Sequence, residues 1–186
     1  HMQIMRWAAV ILGALLASAP VRAPADAGED AKQAAKATFA SVTGHWAGTV
    51  RTWVEPGKLF DESPVSGRIE PILGGLFLRH AYESRIQDRP RQGEETIGFN
   101  SVTQRYQTTW VDSFHMNYAL MHSEGAASPR GFTVFGRYDV GPTEPPWGWK
   151  TVYDLVDADH LTITAYNVSP AGEEFLAVET KYARVK

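Results

Sequence analysis

The sequence of 186 residues contains no cysteine. This absence excludes disulfides, thiolate nucleophiles, Cys-ligated metal sites and the lipid-bearing cysteine of a bacterial lipoprotein. The net charge of −3 offers no basic surface to nucleic acid, so we expect no nucleic-acid partner. A phosphate-binding glycine loop, a Gly-x-Ser-x-Gly nucleophile elbow and a His-Glu-x-x-His motif are also missing. These absences argue against nucleotide enzymes, α/β serine hydrolases and zinc proteases.

Long hydrophobic runs are also scarce. The apolar run over residues 7–17 follows Arg6 and falls short of the roughly 20 residues that a membrane span needs. One positive charge, a short apolar run and small residues are typical of a secretory signal peptide. We expect cleavage after Ala25 or Ala27 and export to a bacterial periplasm or beyond, with no membrane contact afterwards. An uncleaved N-terminal anchor is the alternative.

The chain therefore divides into three parts. Residues 1–27 hold a tag remnant, His1-Met2, and the signal peptide. Residues 28–42 form a linker and a short Ala-rich helix, and residues 43–186 form one β domain. Such a helix either closes one end of the domain or is a mobile leader, and its apolar positions are Ala34, Ala37, Phe39 and Val42.

Aromatic residues are plentiful, with six Trp, seven Tyr and eight Phe, and turn residues separate short runs of them. This pattern favours an all-β domain. It predicts about ten strands, at residues 45–54, 66–73, 76–86, 94–99, 104–112, 116–123, 131–139, 147–156, 160–168 and 173–185. Short connections favour an up-and-down antiparallel barrel, whose interior is filled by side chains or holds one small ligand.

The strand at residues 104–112 has the richest chemistry. Alternation places Tyr106, Thr108, Trp110 and Asp112 on one face, with His115 at the following turn. A carboxylate and an imidazole at this spacing are candidates for a general-base pair. The alternative is that Asp112 accepts hydrogen bonds from the backbone of the turn, as aspartate often does.

Five histidines, apart from the one in the tag remnant, are candidate ligands or acid–base groups. These histidines are His45, His80, His115, His122 and His160. No two of them have the i, i+2 spacing that places two ligands on one face of a strand. We therefore predict no metal and no cofactor, with haem as an alternative if histidines from separate strands converge. His80 shares the apolar face of its strand and is expected inside, together with Leu76, Leu78, Tyr82 and Ile86.

Several short motifs, in this order and spacing, carry a resemblance to a family. A Gly-His-Trp-x-Gly motif opens the β domain at residues 44–48, and further matches lie at residues 53–57, 74–78, 97–100, 106–112, 172–175 and 179–184. Together they resemble the DUF1579 family of uncharacterised bacterial proteins, over about residues 41–186. The resemblance implies a calycin-type, lipocalin-like barrel without an established common activity.

The resemblance also implies particular contacts and uses. In lipocalin-like barrels the first-strand Trp lies near a last-strand Arg, here Trp46 and Arg184, and the pair seals the barrel floor. Related barrels bind fatty acids, pigments or haem, and a few are isomerases or cyclases. The sequence departs from the family pattern at residues 141–149, where prolines precede Trp147 and Trp149; this aromatic pair suits either ligand stacking or packing at the rim.

We therefore expect a secreted barrel that binds a small apolar or aromatic molecule inside. The expected lining residues are Trp53, His80, Tyr106, Trp110, Tyr118 and Tyr153. The alternative is an isomerase, lyase or hydrolase that uses Asp112, His115 or His80 as acid or base. A third possibility is an interaction module with a solid core, and the oligomeric state stays open.

Overall fold

The computed structural model describes residues 24–115 and 119–186, which form a closed ten-stranded antiparallel barrel with one α-helix. The predicted fold class is confirmed. The elements are α1 (Pro24–Val42), β1 (Gly44–Glu55), β2 (Lys58–Ile72), a 3₁₀ turn (Leu73–Gly75), β3 (Phe77–Ile86), β4 (Arg89–Asn100), β5 (Arg105–Asp112), β6 (Met121–Ser128), β7 (Gly131–Tyr138), β8 (Trp147–Asp157), β9 (His160–Val168) and β10 (Glu174–Arg184).

Each strand pairs with the next one along the chain, and β1 pairs with β10 to close the barrel. In that closing pair Trp46 lies opposite Arg184. Among the ten strands described, closure leaves no edge open for pairing with another chain. No helix among the described residues has the length and apolar character of a membrane span.

Three strands begin where the sequence pattern does not place them, and one of these is β4, which starts at Arg89 rather than at residue 94. β2 starts at Lys58 rather than at residue 66. Its first half is a polar segment, which the sequence pattern does not mark as a strand, but this segment pairs with the end of β1. β6 spans Met121–Ser128 rather than residues 116–123, of which 116–118 lie outside the described residues. The small residues predicted to form a loop after residue 123 are strand residues instead: a Cβ on Gly125 would lie 1.8 Å from the carbonyl oxygen of Thr133, so glycine permits this close pairing.

Helix α1 closes one end of the barrel. Its buried residues are Ala35, Phe39 and Val42, and the Phe39 ring packs edge-on against Tyr106 with centroids 6.2 Å apart. Ala34 and Ala37, expected among the packing positions, are exposed. The helix is rotated so that Ala35 rather than these two alanines meets the barrel.

Arg184 fastens this helix to the barrel. Its guanidinium carbon lies 4.2 Å from the centre of the Trp46 ring, which confirms the predicted pair. It also donates hydrogen bonds to the carbonyl oxygens of Ser41 and Thr43, at 2.8 and 2.7 Å, and to that of Ala158, at 2.9 Å. Arg184 therefore satisfies carbonyls that the C-terminus of a helix otherwise leaves unpaired.

The barrel interior changes character along its axis. Next to α1 it is apolar and aromatic, with the rings of Tyr106, Phe132 and Tyr153 stacked at centroid separations of 4.4 and 4.6 Å. Beyond Tyr153 the interior becomes polar. The opposite end, here called the loop end, carries the β1–β2, β3–β4 and β5–β6 connections.

Candidate functional site

Polar and charged side chains are buried in the middle and loop-end parts of the barrel, although burying such groups is unfavourable unless they are paired. A cavity of about 70 Å³ lies between them. The buried polar residues that line this central cavity are His80, Arg91, Glu95 and Thr151. An interior built for stability alone has little need of buried charged residues, so this cavity is the candidate site.

Glu95 lies on β4 with His80 opposite on β3 and Trp110 opposite on β5. One carboxylate oxygen, Oε1, accepts a hydrogen bond of 3.0 Å from the Tyr153 hydroxyl. Among the described residues, Tyr153 is the one hydrogen-bond partner of Glu95. Burial raises the pKa of Glu95 to about 7, and the hydrogen bond from Tyr153 only partly opposes this effect. Glu95 therefore exchanges its proton near neutral pH.

His80 lies between two tyrosine hydroxyls, with Nδ1 at 3.1 Å from Tyr153 and Nε2 at 3.2 Å from Tyr182. Burial lowers the pKa of His80 to about 4, so the ring is neutral at pH 7. When Glu95 is ionised, Tyr153 donates its proton to Glu95 and accepts from Nδ1–H, while Nε2 accepts from Tyr182. The hydrogen bonds then run in one direction, from Tyr182 through His80 and Tyr153 to Glu95; we call these four residues the relay.

A second polar cluster occupies the loop end of the cavity. Arg91 Nε donates to Asp112 Oδ2 at 3.0 Å, and both side chains are almost fully buried. Tyr82 also donates its hydroxyl to Asp112 Oδ2. Arg91 Nη2 lies 3.4 Å from His115 Nδ1. Arg91 and Asp112 thus form a buried ion pair beside the cavity.

The other oxygen of Asp112 shapes the turn that follows β5. Oδ1 accepts hydrogen bonds from the backbone N–H groups of Phe114 and His115, at 2.7 and 3.1 Å. Burial alone would raise the pKa of Asp112, but its contact with His115 and the charge of Arg91 outweigh burial and hold this pKa well below its usual range. These backbone contacts are the ones that the turn-forming interpretation of Asp112 predicts, and the acid–base role of Asp112 stays a prediction. A carboxylate so fully engaged is a weak proton acceptor.

Aromatic rings and aliphatic side chains form the remaining walls of the cavity. Trp110 and Trp149 stack with centroids 5.5 Å apart and planes 8° from parallel. Tyr82, Tyr153 and Tyr182 also reach the cavity, as do the aliphatic side chains of Val50, Val65, Ile163, Ala165 and Val178. The site therefore combines π faces, apolar surface and a carboxyl group.

The structure brings together three of the residues predicted to line a ligand site: His80, Trp110 and Tyr153. Tyr106 is buried nearer the helix, against Phe132, and is not part of the cavity wall. Trp53 does not line the cavity either; it is half-buried and follows Thr52, which is the buried residue at that point of β1. Tyr118 lies outside the described residues.

The structure keeps two of the predicted acid–base residues together and places the third elsewhere. His115 and Asp112 are in contact at the loop end, where Nδ1 lies 3.4 Å from Oδ1, while His80 belongs to the relay deeper in the barrel. Burial lowers the pKa of His115, although its contact with Asp112 works against this. Leu76, expected beside His80 on the apolar face, precedes β3 and is 69% exposed.

Two residues of the candidate site, Glu95 and Arg91, escape the sequence argument. Counting back from the buried Ile97 in steps of two residues along the strand reaches Glu95 and Arg91. The predicted strand begins only at residue 94, however, and charged residues usually face solvent. Their common side with Ile97 is the signal that points inward.

The other histidines of the β domain, His45, His122 and His160, are exposed. Within residues 24–115 and 119–186, no three His, Cys, Asp or Glu side chains lie close enough together to hold a metal ion.

A larger depression of about 850 Å³ lies on the outside of β1–β5. Its lining is mostly outward-facing, including His45, Arg68, Glu83 and Glu94, and it is open to solvent. Buried groups with perturbed pKa values mark functional sites better than exposed ones do. The smaller interior cavity is therefore the stronger candidate.

Comparison with known proteins gives a family and a fold. The sequence profile described as "Protein of unknown function (DUF1579)" matches residues 31–184, whereas no curated protein matches the chain. The chain is similar to the crystal structure of Rv2717c from M. tuberculosis, at 15% identity over 84% of this chain and 98% of that one, with a TM-score of 0.60. A DUF3598 protein of unknown function from Nostoc punctiforme PCC 73102 is 7% identical over 81% of this chain and 99% of that one, with a TM-score of 0.23. The first likeness supports the barrel fold, and the second is too distant in shape to bear on it.

Proposed function

Because the chain belongs to the DUF1579 family, as its motifs predict, and that family is defined without a function, we propose a function from the barrel interior. The protein binds a compact small molecule in the central cavity. The observation that carries this proposal is the buried carboxyl of Glu95, which lines the cavity and has a single hydrogen-bond partner among the described residues. A bound molecule supplies the partners that the barrel leaves out.

The size of the cavity limits the ligand. A volume of about 70 Å³ is several times the roughly 10–15 Å³ that a cavity needs to hold one water molecule. Pockets for drug-sized ligands are larger, at roughly 300–1,000 Å³. A haem macrocycle or a long fatty-acid chain does not fit in this space, so we propose a ligand of a few non-hydrogen atoms in place of the larger apolar molecules that related barrels suggest.

A ligand-observed NMR screen tests this proposal. The panel holds compact amines, carboxylic acids, alcohols and amides, and at least one class is expected to bind. Ala165→Val adds two methyl groups to the cavity wall and is expected to abolish that binding. Ala126→Val makes the same change at an exposed position of β6 and serves as the matched control. Binding that survives Ala165→Val would contradict the proposal.

Acid–base catalysis is a second candidate, favoured by the pKa of Glu95 near 7. A general acid or base works best when its pKa lies close to the operating pH. The alternative predicted from sequence uses Asp112, His115 or His80 as acid or base. Because the carboxylate of Asp112 is engaged in hydrogen bonds, we propose Glu95 as a better base than Asp112. If Glu95 abstracts protons, a ligand found in the screen exchanges a C–H hydrogen for deuterium in D₂O with the wild-type protein but not with Glu95→Gln. Equal exchange rates would rule out this role.

Export remains part of the proposal. It rests on the sequence of residues 6–17 and on the small residues that follow. Both expected cleavage points, after Ala25 and Ala27, fall in the first turn of α1. Cleavage at either leaves the packing residues Ala35, Phe39 and Val42 in place. Expression in a bacterium followed by periplasmic extraction and N-terminal sequencing tests this; a full-length protein in the cytoplasm would contradict it.

A further inference from the structure

We propose that the occupant of the central cavity is a small organic cation, a primary or methylated ammonium ion, held by the carboxylate of Glu95 and the aromatic rings around it. This inference rests on the proposed function, since it names the chemistry of a ligand for the same cavity. It is carried by the charge balance of the interior, the single partner of Glu95 and the aromatic lining.

The charge balance of the cavity favours a cation. Arg91 is neutralised by Asp112, because the two side chains lie 3.0 Å apart and are 4% and 0% exposed. His80 is neutral between two tyrosine hydroxyls. An ionised Glu95 therefore leaves one negative charge uncompensated among the described residues of the interior. A cationic ligand would cancel this charge, whereas an anion would double it.

The carboxyl of Glu95 presents an acceptor to the cavity. Oε1 receives the Tyr153 proton, and Trp110 and His80 flank Glu95 on the neighbouring strands. The indole N–H of Trp110 is used by the Tyr82 hydroxyl at 2.9 Å, so it does not compete for Glu95. An ammonium N–H group can therefore form a charge-assisted hydrogen bond with the remaining oxygen of Glu95.

The aromatic lining supplies a second attraction for the same ligand. The faces of tryptophan and tyrosine rings attract cations, and Trp110, Trp149 and three tyrosines reach this cavity. Methyl groups on the cation would contact Val50, Val65 and Ala165. A space of about 70 Å³ suits an ammonium ion with a few methyl groups.

The pH dependence of binding follows from the groups that surround Glu95. These are His80 and Tyr82 on β3, Arg91 on β4, Asp112 on β5, Tyr153 on β8 and Tyr182 on β10. The pKa of His80 is about 4, that of Asp112 is lowered and those of the three tyrosines are raised, which leaves Glu95 to titrate near neutrality. A cation must displace the Glu95 proton, so affinity rises about tenfold per pH unit up to pH 7 and then levels off.

The experiment titrates the full chain with methylammonium and trimethylammonium chloride at pH 5 to 8, followed by tryptophan fluorescence and calorimetry. tert-Butanol is the neutral probe of similar shape, and acetate is the anionic one. We expect the ammonium probes to bind, with affinity rising as described. Glu95→Gln is expected to weaken their binding at least tenfold and to remove its pH dependence, whereas Glu94→Gln, at an exposed neighbouring position, leaves both unchanged.

Proton release gives a readout that needs no variant. Calorimetry of the wild-type protein at pH 6 in buffers of different ionisation enthalpy should show close to one proton released per ammonium ion bound. A neutral or acidic ligand that hydrogen-bonds to protonated Glu95 would release none.

Three results would overturn the proposal of a cationic ligand: tighter binding of acetate or tert-butanol, undiminished ammonium binding by a folded Glu95→Gln variant, or no ammonium binding at any of these pH values. The cavity-filling variant Ala165→Val separates this failure from that of the proposed function. A neutral or anionic probe that is lost in Ala165→Val but retained in Glu95→Gln keeps the cavity as a binding site and refutes only the cation. Binding that is unchanged in Ala165→Val refutes both.

Discussion

The opposite pKa shifts of Glu95 and His80 predict two pH effects on stability that nearly cancel in the wild-type barrel. For Glu95, the pKa rises from 4.5 to about 7 on folding, so the folded state holds the proton more tightly. Its contribution is complete below pH 4.5 and is lost as the pH rises to 7. At about 1.4 kcal/mol per pH unit, the loss amounts to about 3 kcal/mol of unfolding free energy.

His80 behaves in the reverse manner. Its pKa falls from 6.5 to about 4 because the buried ring disfavours the charged form. The stability that goes with the neutral ring is complete above pH 6.5 and is lost as the pH falls towards 4, again by about 3 kcal/mol. Between pH 4.5 and 6.5 the contributions of Glu95 and His80 to the unfolding free energy therefore change with pH at equal and opposite rates. Together these two groups leave the stability of the barrel insensitive to pH.

Single substitutions should expose each slope. From pH 5 to pH 6.5, the unfolding free energy of Glu95→Gln should rise by about 2 kcal/mol relative to wild type, and that of His80→Asn should fall by about 2 kcal/mol. Urea unfolding followed by tryptophan fluorescence measures both, and the double variant should again follow the wild type. Glu94→Gln and His122→Asn, at exposed positions, are the matched controls. A destabilisation that is independent of pH in both single variants would refute the reasoning.

Two further predictions concern groups outside the relay. Arg184→Met keeps an unbranched, flexible side chain but removes the hydrogen bonds of Arg184 to three carbonyl oxygens, so urea unfolding should show a loss of about 2–3 kcal/mol. An unchanged unfolding midpoint would contradict the fastening role. Asp112→Asn leaves Arg91 buried without its counter-charge and should lower the unfolding free energy by about 3–5 kcal/mol. Asp154→Asn, in a more exposed ion pair, is the control and should cost at most about 1 kcal/mol; equal losses would show that burial of the ion pair is not what matters.

Much of the barrel could be predicted because alternation and turn residues agree along most of the chain. The strands at Gly131–Tyr138, Trp147–Asp157 and His160–Val168 end within one residue of their predicted bounds. The exceptions are segments where composition misleads. The first half of β2 is polar because it pairs at the rim, and β6 contains small residues because its neighbours approach closely.

The site was less accessible from sequence than the fold. His80, Trp110 and Tyr153 could be placed inside because they alternate with outward-facing residues. Glu95 and Arg91 were harder to place, since a charged residue in a strand normally faces solvent and only the face that they share with Ile97 points inward. The size of the cavity depends on side chains from most of the strands at once, which no local pattern contains.

The pairing of β1 with β10 also governs how the chain can reach its fold. The carbonyl of Thr43 and the guanidinium of Arg184 that binds it are 141 residues apart. While the ribosome is still making β10, β1 has one unpaired edge and α1 lacks its fastening, so every shorter nascent chain exposes strand edges to its neighbours. Folding of such a non-local topology is slow compared with that of a helical protein. The barrel therefore completes itself only after β10 has been made, and the chain depends on protection from aggregation until that strand has docked.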